Sequence, residues 1–580
     1  MILKYLNRWQ WTLVGVCAIF IIIQVYLDLR IPEYMNAMTD AILDGTAQEL
    51  MWNYGSGMAI CAFLSLGASL VSGYIAAYVT GQLCRELRIR QFEKVQQFSS
   101  EDVGDLTIAS LITRSTSDVY QIQVYVARGL LIFIRAPILA AWALFKIAGG
   151  NWQWTTATAI TVVIIVVVVM FIINRSRYYF RKIQWLTDGI NGVTGESIEG
   201  VRTVRAYNAE DYQLSRLEKA NEDLIKNNLT ALKYNAPLYP FTSAMQNFLT
   251  LSIYWIGAGL ISSAPNHAEQ LLLFSDMIVF TSYALQVVAG FLMITGMMRI
   301  LPRAMVASQR IQEVIEREPT IEDGVETEGI KGSEGHIVME HVTFTYPGSK
   351  HPAVKDISLE VKKGETLALI GPTGSGKSTV ARLMCRLYDP EEGRIEVAGR
   401  DVKEYIQADL HNQFGYVPQN AVIFSGSVRY NVNYGRHSKE RSEEDIWDAL
   451  RVAQSEDFVK EMDGGLEAHI SQEGRNISGG QKQRIGIARA ICKRPDIYIF
   501  DDSFSALDFR TDRALRSALR GRTKDSTVVI VAQRVGTIMD ADRIIVMDGG
   551  EIVGVGTHDE LMESCPLYNS IATLQFSEVS

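Results

Sequence analysis

Six apolar segments, each long enough to cross a lipid bilayer, lie in the first 300 residues of this 580-residue chain. They centre on residues 11–27, 55–80, 121–147, 153–173, 235–262 and 271–298. A bilayer core of about 30 Å needs about 20 apolar residues in a helix. A helix also satisfies its own backbone hydrogen bonds, as the interior of a bilayer requires. The sequence therefore predicts an α-helical membrane domain with six spans.

The charges between the spans indicate how the chain is oriented. Asp28–Met51 is acidic with a single arginine, and Ile261–Gln270 contains neither lysine nor arginine. Arg85–Phe98 and Arg175–Lys233 carry repeated basic residues, which favour the cytoplasmic side. We therefore predict a multi-pass protein of the plasma (inner) membrane, with the basic loops and both termini in the cytoplasm.

The loops predicted to be cytoplasmic are unusually long and have helical patterns. A helical extension of about 24 residues would reach about 36 Å beyond the membrane. We expect short coupling helices at the turns of these extensions, near Val103–Ile108 and Ala206–Tyr212. The alternative is a solvated coiled-coil stalk.

Few charged or adaptable side chains lie within the spans. Asp276 is the clearest carboxylate, and Asp28 and Asp40 lie near span ends; such residues are candidates for a gate or a cargo site. Simple solvation at the membrane surface is the alternative. The last span also carries methionines that suit either varied cargo or helix packing: Met277, Met293, Met297 and Met298.

Composition argues against other classes of protein. A net charge of −9 provides no basic field, so we expect no nucleic-acid partner. The six cysteines lack CxxC spacing, which indicates neither a zinc site nor a disulfide framework.

A second domain follows the spans. We place the boundaries at residues 1–315 for the membrane domain, 316–335 for a linker and 336–580 for an α/β domain, because charge and glycine replace apolar periodicity in the linker. In the α/β domain a buried-strand run, TLALI, leads into a glycine-rich loop at Gly371–Thr379 and then a helical pattern. This is the context of a phosphate-binding loop and predicts ATP or GTP binding.

Three side chains give that loop its chemistry. Lys377 supplies a positive charge to the phosphates, and the Ser378 hydroxyl can bind Mg²⁺. Downstream, the apolar run IYIFDD ends in two carboxylates, of which Asp501 is suited to the metal.

A second phosphate grip lies between these motifs. The sequence ISGGQKQR stands directly before a helix, where the Ser478 hydroxyl and glycine N–H groups form an anion site. Because a single nucleotide cannot readily be held by both grips of one domain, we infer that this one closes on the nucleotide of another copy or homologue.

The order of these motifs resembles that of ABC transporters over the whole chain, with the membrane half first as in exporters of the type IV fold. The resemblance implies an α-helical six-span transmembrane domain followed by an α/β P-loop NTPase (ABC ATPase) domain, with ATP and Mg²⁺ as cofactors. It also implies roles for individual residues. The expected ATP-binding residues are Tyr346, which would stack on adenine, with Gly371, Thr373, Gly374, Ser375, Gly376, Lys377, Ser378 and Thr379.

By the same resemblance, the metal site comprises Ser378, Gln419 and Asp501. The signature residues that contact the opposite nucleotide are Ser478, Gly479, Gly480 and Gln481. Asp508 would bridge the two ATPase domains of a dimer.

Two departures from the family pattern affect catalysis. Asp502 stands where the family has a glutamate that positions the attacking water, and Gln533 stands where it has a switch histidine. A misplacement of about 1 Å can lower a rate on the order of a hundredfold, and glutamine cannot carry positive charge. With Gln419, these two residues form the expected catalytic group, and we expect slow hydrolysis at this chain's own site.

This combination resembles the degenerate-site subunit of heterodimeric bacterial multidrug exporters. We expect ATP-driven efflux of amphipathic small molecules, with a second half-transporter as partner and a heterodimer favoured over a homodimer. The alternatives are a lipid or peptide exporter, and a regulatory or channel-like subunit switched by ATP occupancy.

The orientation is testable by cysteine labelling on intact cells. In a background without native cysteines, Thr46→Cys should react with an impermeant thiol reagent, whereas Ser215→Cys should react only after permeabilisation, because basic loops stay inside. Reaction of the Ser215→Cys variant from outside would reverse the topology.

Overall fold

The structure is a computed structural model that describes residues 2–43, 48–149, 151–435 and 441–577. The chain divides into two compact units. The first comprises Met1–Gln96 with Ala109–Arg317, and the second comprises Gln97–Ile108 with Glu318–Ser580. The sequence did not indicate that a segment between the second and third spans belongs to the second unit.

Long helices form the first half of the chain. They are α1 (Arg8–Leu43), α2 (Gln48–Val95), α3 (Ser100–Leu106), α4 (Ile108–Thr113), α5 (Val119–Ala148), α6 (Trp152–Glu199), α7 (Val201–Ala206), α8 (Glu210–Asn235), α9 (Leu238–Ser263) and α10 (His267–Glu316). A 3₁₀ turn (Ile2–Tyr5) precedes α1, and a π-helical turn (Arg114–Asp118) joins α4 to α5. Within the described residues, six helical segments are long and apolar enough to span a membrane, which confirms the six predicted spans.

Several helices continue beyond the predicted spans. The helices α2, α6 and α10 contain 48, 48 and 50 residues, more than twice the length that a bilayer needs. Residues 28–43 belong to the acidic segment that the sequence predicts between the first two spans, but they are helical, because acidic side chains do not interrupt the backbone hydrogen bonds of α1. Thr46 lies outside the described residues, and Ser215 is exposed on α8.

The first predicted turn of the extensions contains a short helix, and the second corresponds to a break between two helices. The helix α3 covers most of the first predicted turn, Val103–Ile108. The helix α7 ends where the second begins, and residues 207–209 separate it from α8.

The membrane unit contains an ion pair that the sequence analysis missed. Arg135 on α5 donates to the Asp28 carboxylate on α1 at 3.0 Å, and the Ser65 hydroxyl on α2 donates to the same carboxylate. Charged side chains within membrane helices are costly when unpaired, so this contact ties three helices together. Asp276, by contrast, is exposed in this unit.

Two of the four methionines named in the last span contribute to packing, whereas Met298 is exposed. Met277 and Met297 are buried, and a Cβ atom added at Gly257 would come within 2.4 Å of the Met277 sulfur. A side chain at Gly257 would therefore require Met277 to move; small residues are common where membrane helices pack.

The second unit is an α/β domain. Its strands are β1 (Ile337–Phe344), β2 (Val354–Val361), β3 (Thr366–Ile370), β4 (Glu392–Val397), β5 (Arg400–Asp401), β6 (Phe414–Val417), β7 (Gly426–Ser427), β8 (His469–Ile470), β9 (Ile497–Asp501), β10 (Thr527–Val531), β11 (Arg543–Asp548) and β12 (Glu551–Gly556). Its helices are α11 (Lys377–Met384), α12 (Gln407–Asn412), α13 (Val428–Val432), α14 (Glu443–Val452), α15 (Glu456–Glu461), α16 (Gly479–Lys493), α17 (Phe509–Arg522), α18 (Val535–Ile538), α19 (His558–Ser564) and α20 (Pro566–Ser577). Short 3₁₀ turns lie at Val402–Glu404, Gly465–Glu467 and Gln472–Gly474.

A six-stranded sheet with the order β12-β11-β3-β10-β9-β6 forms the centre of this unit. Neighbouring strands from β11 to β6 are parallel, and β12 is antiparallel. Helices cover such sheets on both faces, which explains why β3, β9 and β10 are almost continuously apolar and buried. A second, antiparallel sheet has the order β2-β1-β4-β5. These features confirm the predicted fold class.

A buried carboxylate fixes α3 to the linker that follows α10. The Asp102 side chain is fully buried. It accepts hydrogen bonds from the Thr320 backbone N–H at 3.0 Å and from the Thr320 hydroxyl at 3.2 Å. It also accepts from the backbone N–H and hydroxyl of Ser99, the residue that caps α3. These bonds explain why residues 97–108 belong to the second unit.

We expect Asp102→Ala to loosen this segment, because the donors on Ser99 and Thr320 would lose a charged acceptor. Hydrogen bonds to charged groups contribute about 1.5–3 kcal/mol each. Hydrogen–deuterium exchange should rise at least tenfold across residues 97–108 and around Thr320. The adjacent Glu101→Ala, which changes a partly exposed carboxylate, is the matched control. Unchanged protection in the Asp102 variant would contradict this role.

Candidate functional site

The glycine-rich loop joins the end of β3 to the start of α11. Gly371, Gly374 and Gly376 have φ values of 151°, 86° and 94°, which glycine adopts most easily. A Cβ atom at Gly371 would lie 2.0 Å from the Met547 carbonyl oxygen, and one at Gly376 would lie 2.5 Å from that of Ala353. The loop therefore needs these glycines both for its backbone shape and for its close packing.

Other residues of the loop differ in how far they are exposed to solvent. Thr373 and Gly374 are exposed, whereas Ser375 is buried. Thr379 lies in the first turn of α11 and is also buried.

The Lys377 ammonium is held by its own loop. It donates to the carbonyl oxygens of Gly371 at 2.9 Å and Pro372 at 2.7 Å, and to the Ser375 hydroxyl at 3.2 Å. Burial lowers the pKa of Lys377, while the carboxylates of Asp502 and Asp501 act in the opposite direction. These neutral acceptors hold the cation where phosphate oxygens would replace them.

Asp501 and Ser378 form the part of the site suited to a metal. The Ser378 hydroxyl donates to Asp501 Oδ1 at 2.6 Å, and Asp501 is buried at the end of β9. Hydroxyl and carboxylate oxygens are the ligands that Mg²⁺ prefers, so this donor set fits that ion. No group of three or more His, Cys, Asp or Glu side chains suited to a metal occurs in the described part of the chain.

Gln419 lies against Asp502 in this structure. The side-chain amides of Gln419 and Gln533 donate to the same oxygen, Asp502 Oδ2, at 3.2 and 3.0 Å. Asp502 has φ +49°, and its backbone N–H donates to the Val531 carbonyl on β10. Burial raises the pKa of the Asp502 carboxyl, and the neighbouring Asp501 adds to this effect. The structure thus brings the three predicted catalytic residues together.

The signature residues form the start of α16. Ser478 accepts from the Gln481 N–H at 3.2 Å, and the Gln481 side chain accepts from the Ser478 N–H at 2.8 Å, a capping box. Ser478 and Gly479 are exposed, and Gly480 is partly exposed. A helix N-terminus with exposed N–H groups is suited to an anion.

Two further predicted residues lie at the edges of the site. Tyr346 packs edge-on against Phe344 and Tyr388, with ring centroids 5.0 and 5.3 Å away, and its hydroxyl lies 3.2 Å from that of Thr379. Asp508 caps α17 and is exposed; its hydrogen bond to Thr511 lowers the pKa of the carboxyl.

Sequence reasoning missed two side chains that contact these groups. The Tyr416 hydroxyl donates to Asp501 Oδ2 at 3.2 Å, and Arg382 donates to the Tyr346 hydroxyl at 3.2 Å. Tyr416 stands on β6, three residues before Gln419. The alternation of strand side chains was the available signal, but the contact depends on how β6 pairs with β9.

Comparison with known proteins gives a consistent result. The family profile described as "ABC transporter transmembrane region" matches residues 14–291, and the one described as "ABC transporter" matches residues 354–505. An uncharacterized ABC transporter ATP-binding protein of Mycobacterium tuberculosis is 35% identical over 97% of this chain and 96% of its own length. A lipid A-core flippase of Vibrio parahaemolyticus is 27% identical over 97% and 95%.

Among solved structures, a bacterial Atm1-family ABC exporter with ATP bound has a TM-score of 0.84 and covers 97% of this chain and 98% of its own. At a sequence identity of 23%, this comparison shows that the two proteins share a fold.

We expect Lys377→Ala to weaken nucleotide binding to this chain at least tenfold, because charge-assisted hydrogen bonds to phosphate contribute about 1.5–3 kcal/mol. Photolabelling of the full chain with 8-azido-ATP measures this. Lys363→Ala is the control, since Lys363 is exposed and pairs with Glu334. Equal labelling of the Lys377→Ala variant and wild type would contradict the assignment.

Proposed function

This chain belongs to the ABC transporter family, and we propose that it uses ATP to export amphipathic small molecules across the plasma membrane as one half of a heterodimer. Six spans and a single ATPase domain in one chain are the organisation of an exporter-type half-transporter. The two termini and the basic loops are cytoplasmic in this proposal, since loop charge favours that orientation.

The observation that carries the asymmetric part of the proposal is the contact of Asp502 with two amides. A residue that positions the attacking water needs a free carboxylate oxygen at the right distance. Asp502 is one methylene shorter than glutamate, and its Oδ2 is occupied by Gln419 and Gln533. Both features favour slow hydrolysis at this chain's own phosphate loop.

The remaining parts of the site suit nucleotide and metal binding. Ser378 and Asp501 would hold Mg²⁺, which supplies charge neutralisation for the phosphates when bound. Gln419 would add its amide oxygen to this set, since its contact with Asp502 uses the amide nitrogen. Lys377 would exchange the loop carbonyls for phosphate oxygens.

The exposed signature favours a second chain as partner. In our proposal, Ser478 and the following N–H groups close on the nucleotide bound to the partner's phosphate loop. A homodimer would then have two slow sites, whereas a partner with glutamate and histidine at the equivalent positions would provide one rapid site. A heterodimer is therefore favoured.

A lipid is the second candidate cargo. It is supported by the similarity to the lipid A-core flippase over nearly the whole chain. We favour small amphipathic molecules because the motif combination resembles multidrug exporters, and a transport assay can distinguish the two cargo classes.

Two substitutions in the purified complex with its partner test whether one ATP site is slow and the other rapid. Ser478→Ala should lower ATP turnover at least tenfold, because it removes a donor that faces phosphate at the rapid site. Asp502→Ala should leave ATP occupancy and lower turnover by less than about twofold, because that site contributes little turnover. Ser442→Ala is the matched control, since Ser442 forms the same type of capping box at α14.

The outcomes separate the alternatives. Rapid, transport-coupled hydrolysis by a dimer of this chain alone would contradict the asymmetric proposal. In proteoliposomes, uphill movement of a hydrophobic dye supports drug export, movement of a labelled lipid alone supports the lipid alternative, and downhill flux during ATP occupancy indicates a channel-like subunit.

A further inference from the structure

The Asp501 carboxylate is fixed at both oxygens. Ser378 donates to Oδ1 at 2.6 Å, and the Tyr416 hydroxyl donates to Oδ2 at 3.2 Å. Tyr416 reaches Asp501 because β6 lies beside β9 in parallel register, with Tyr416 opposite Ile499 and Val417 opposite Phe500. A metal ligand held at one oxygen by the phosphate-loop helix and at the other by a neighbouring strand has little freedom to rotate.

A cation lies on the other side of the tyrosine. Arg382, on α11, donates to the Tyr346 hydroxyl at 3.2 Å. Burial raises the pKa of the Tyr416 hydroxyl, and the nearby Arg382 charge opposes this effect. Arg382 therefore lies near both the tyrosine expected at the adenine and the tyrosine that holds Asp501.

We propose that Tyr416, supported by Arg382, is a positioning residue that holds Asp501 in the orientation required to bind the Mg²⁺ of the Mg²⁺–ATP complex. The inference rests on the proposed function, in which this chain binds ATP with Mg²⁺. Tyr416 does not contact the nucleotide in this assignment; it acts through Asp501. Arg382 orients the Tyr416 hydroxyl, and it lies between the tyrosine expected at the adenine and the tyrosine that holds Asp501.

The expected effect follows from the chemistry of metal sites. Groups that hydrogen-bond to metal ligands set the orientation of those ligands, and their loss typically lowers metal affinity by about 10- to 100-fold. In Tyr416→Phe, the ring would still fill its place in the strand, but Asp501 Oδ2 would lose its donor. Metal-dependent nucleotide binding should therefore fall, while metal-free binding, which depends on the loop and Lys377, should not.

The test measures photolabelling of this full chain with 8-azido-ATP, both in EDTA and over a series of free Mg²⁺ concentrations. The half-maximal Mg²⁺ concentration should rise about tenfold in Tyr416→Phe, with labelling in EDTA equal to wild type. Tyr405→Phe is the matched control: Tyr405 is a buried tyrosine whose hydroxyl donates to the Val397 carbonyl at 2.8 Å, in the same unit. The Mg²⁺ requirement of the control should be unchanged.

A second variant covers the case in which Tyr416→Phe fails to fold. Arg382→Gln keeps Tyr416 but removes its cationic neighbour. Because Arg382 also donates to Tyr346, labelling is normalised to that of the same variant in EDTA, and the half-maximal Mg²⁺ concentration should rise by several-fold. A rise in the half-maximal Mg²⁺ concentration in this variant then supports the inference.

Each other outcome overturns the inference. An unchanged Mg²⁺ requirement in both variants means that Tyr416 does not position Asp501. Loss of labelling with and without Mg²⁺ means that Tyr416 shapes the nucleotide pocket itself. If wild type is not labelled at all, the proposed function is wrong and the inference fails with it; if wild type is labelled independently of Mg²⁺, only the metal site is wrong.

Discussion

The site depends on four parallel strands whose carboxyl ends meet at one edge of the central sheet. The phosphate loop follows β3, the two aspartates end β9, Gln533 follows β10 and Gln419 follows β6. Register pairs such as Asp501 with Val531, and Val531 with Leu369, hold these ends level. Because these strands are buried on both faces, a slip by one residue would exchange the side chains of the two faces and disrupt their packing against the covering helices.

Local patterns in the sequence were sufficient to predict the six spans and the phosphate-binding loop. Length and hydropathy identify the six spans, because a bilayer admits only helices of sufficient apolar length. The glycine-rich sequence after TLALI predicted the phosphate-binding loop for a similar reason. The backbone there has positive φ values, which glycine adopts most easily. The long helical extensions were also expected, although the helical continuation of α1 through Leu43 was not.

Contacts between distant parts of the chain could not be read in this way. Arg135 and Asp28 are 107 positions apart, and Asp102 and Thr320 are 218 positions apart. Each residue taken alone suggests only a charge near a membrane or a helix cap. Their pairing depends on which helices become neighbours, and the hydropathy pattern of one helix does not contain that information. The contact between Tyr416 and Asp501 was missed for the same reason, as it depends on the pairing of β6 with β9.

The hydrogen bonds of the site show which groups a nucleotide can recruit. Lys377 is bound to neutral carbonyl oxygens, so charged phosphate oxygens would make stronger charge-assisted bonds and replace them readily. Gln419 and Gln533 are bound to a carboxylate, so a phosphate would compete with an acceptor of similar charge. Asp502 would then lose both amide donors while it remains buried beside Asp501, which is unfavourable for a carboxylate. Recruitment of the two amides by the nucleotide would therefore leave Asp502 without these donors. Asp502 is also one methylene shorter than the glutamate that it replaces, so in the proposed function this chain's own site binds ATP and the partner's site performs most of the turnover.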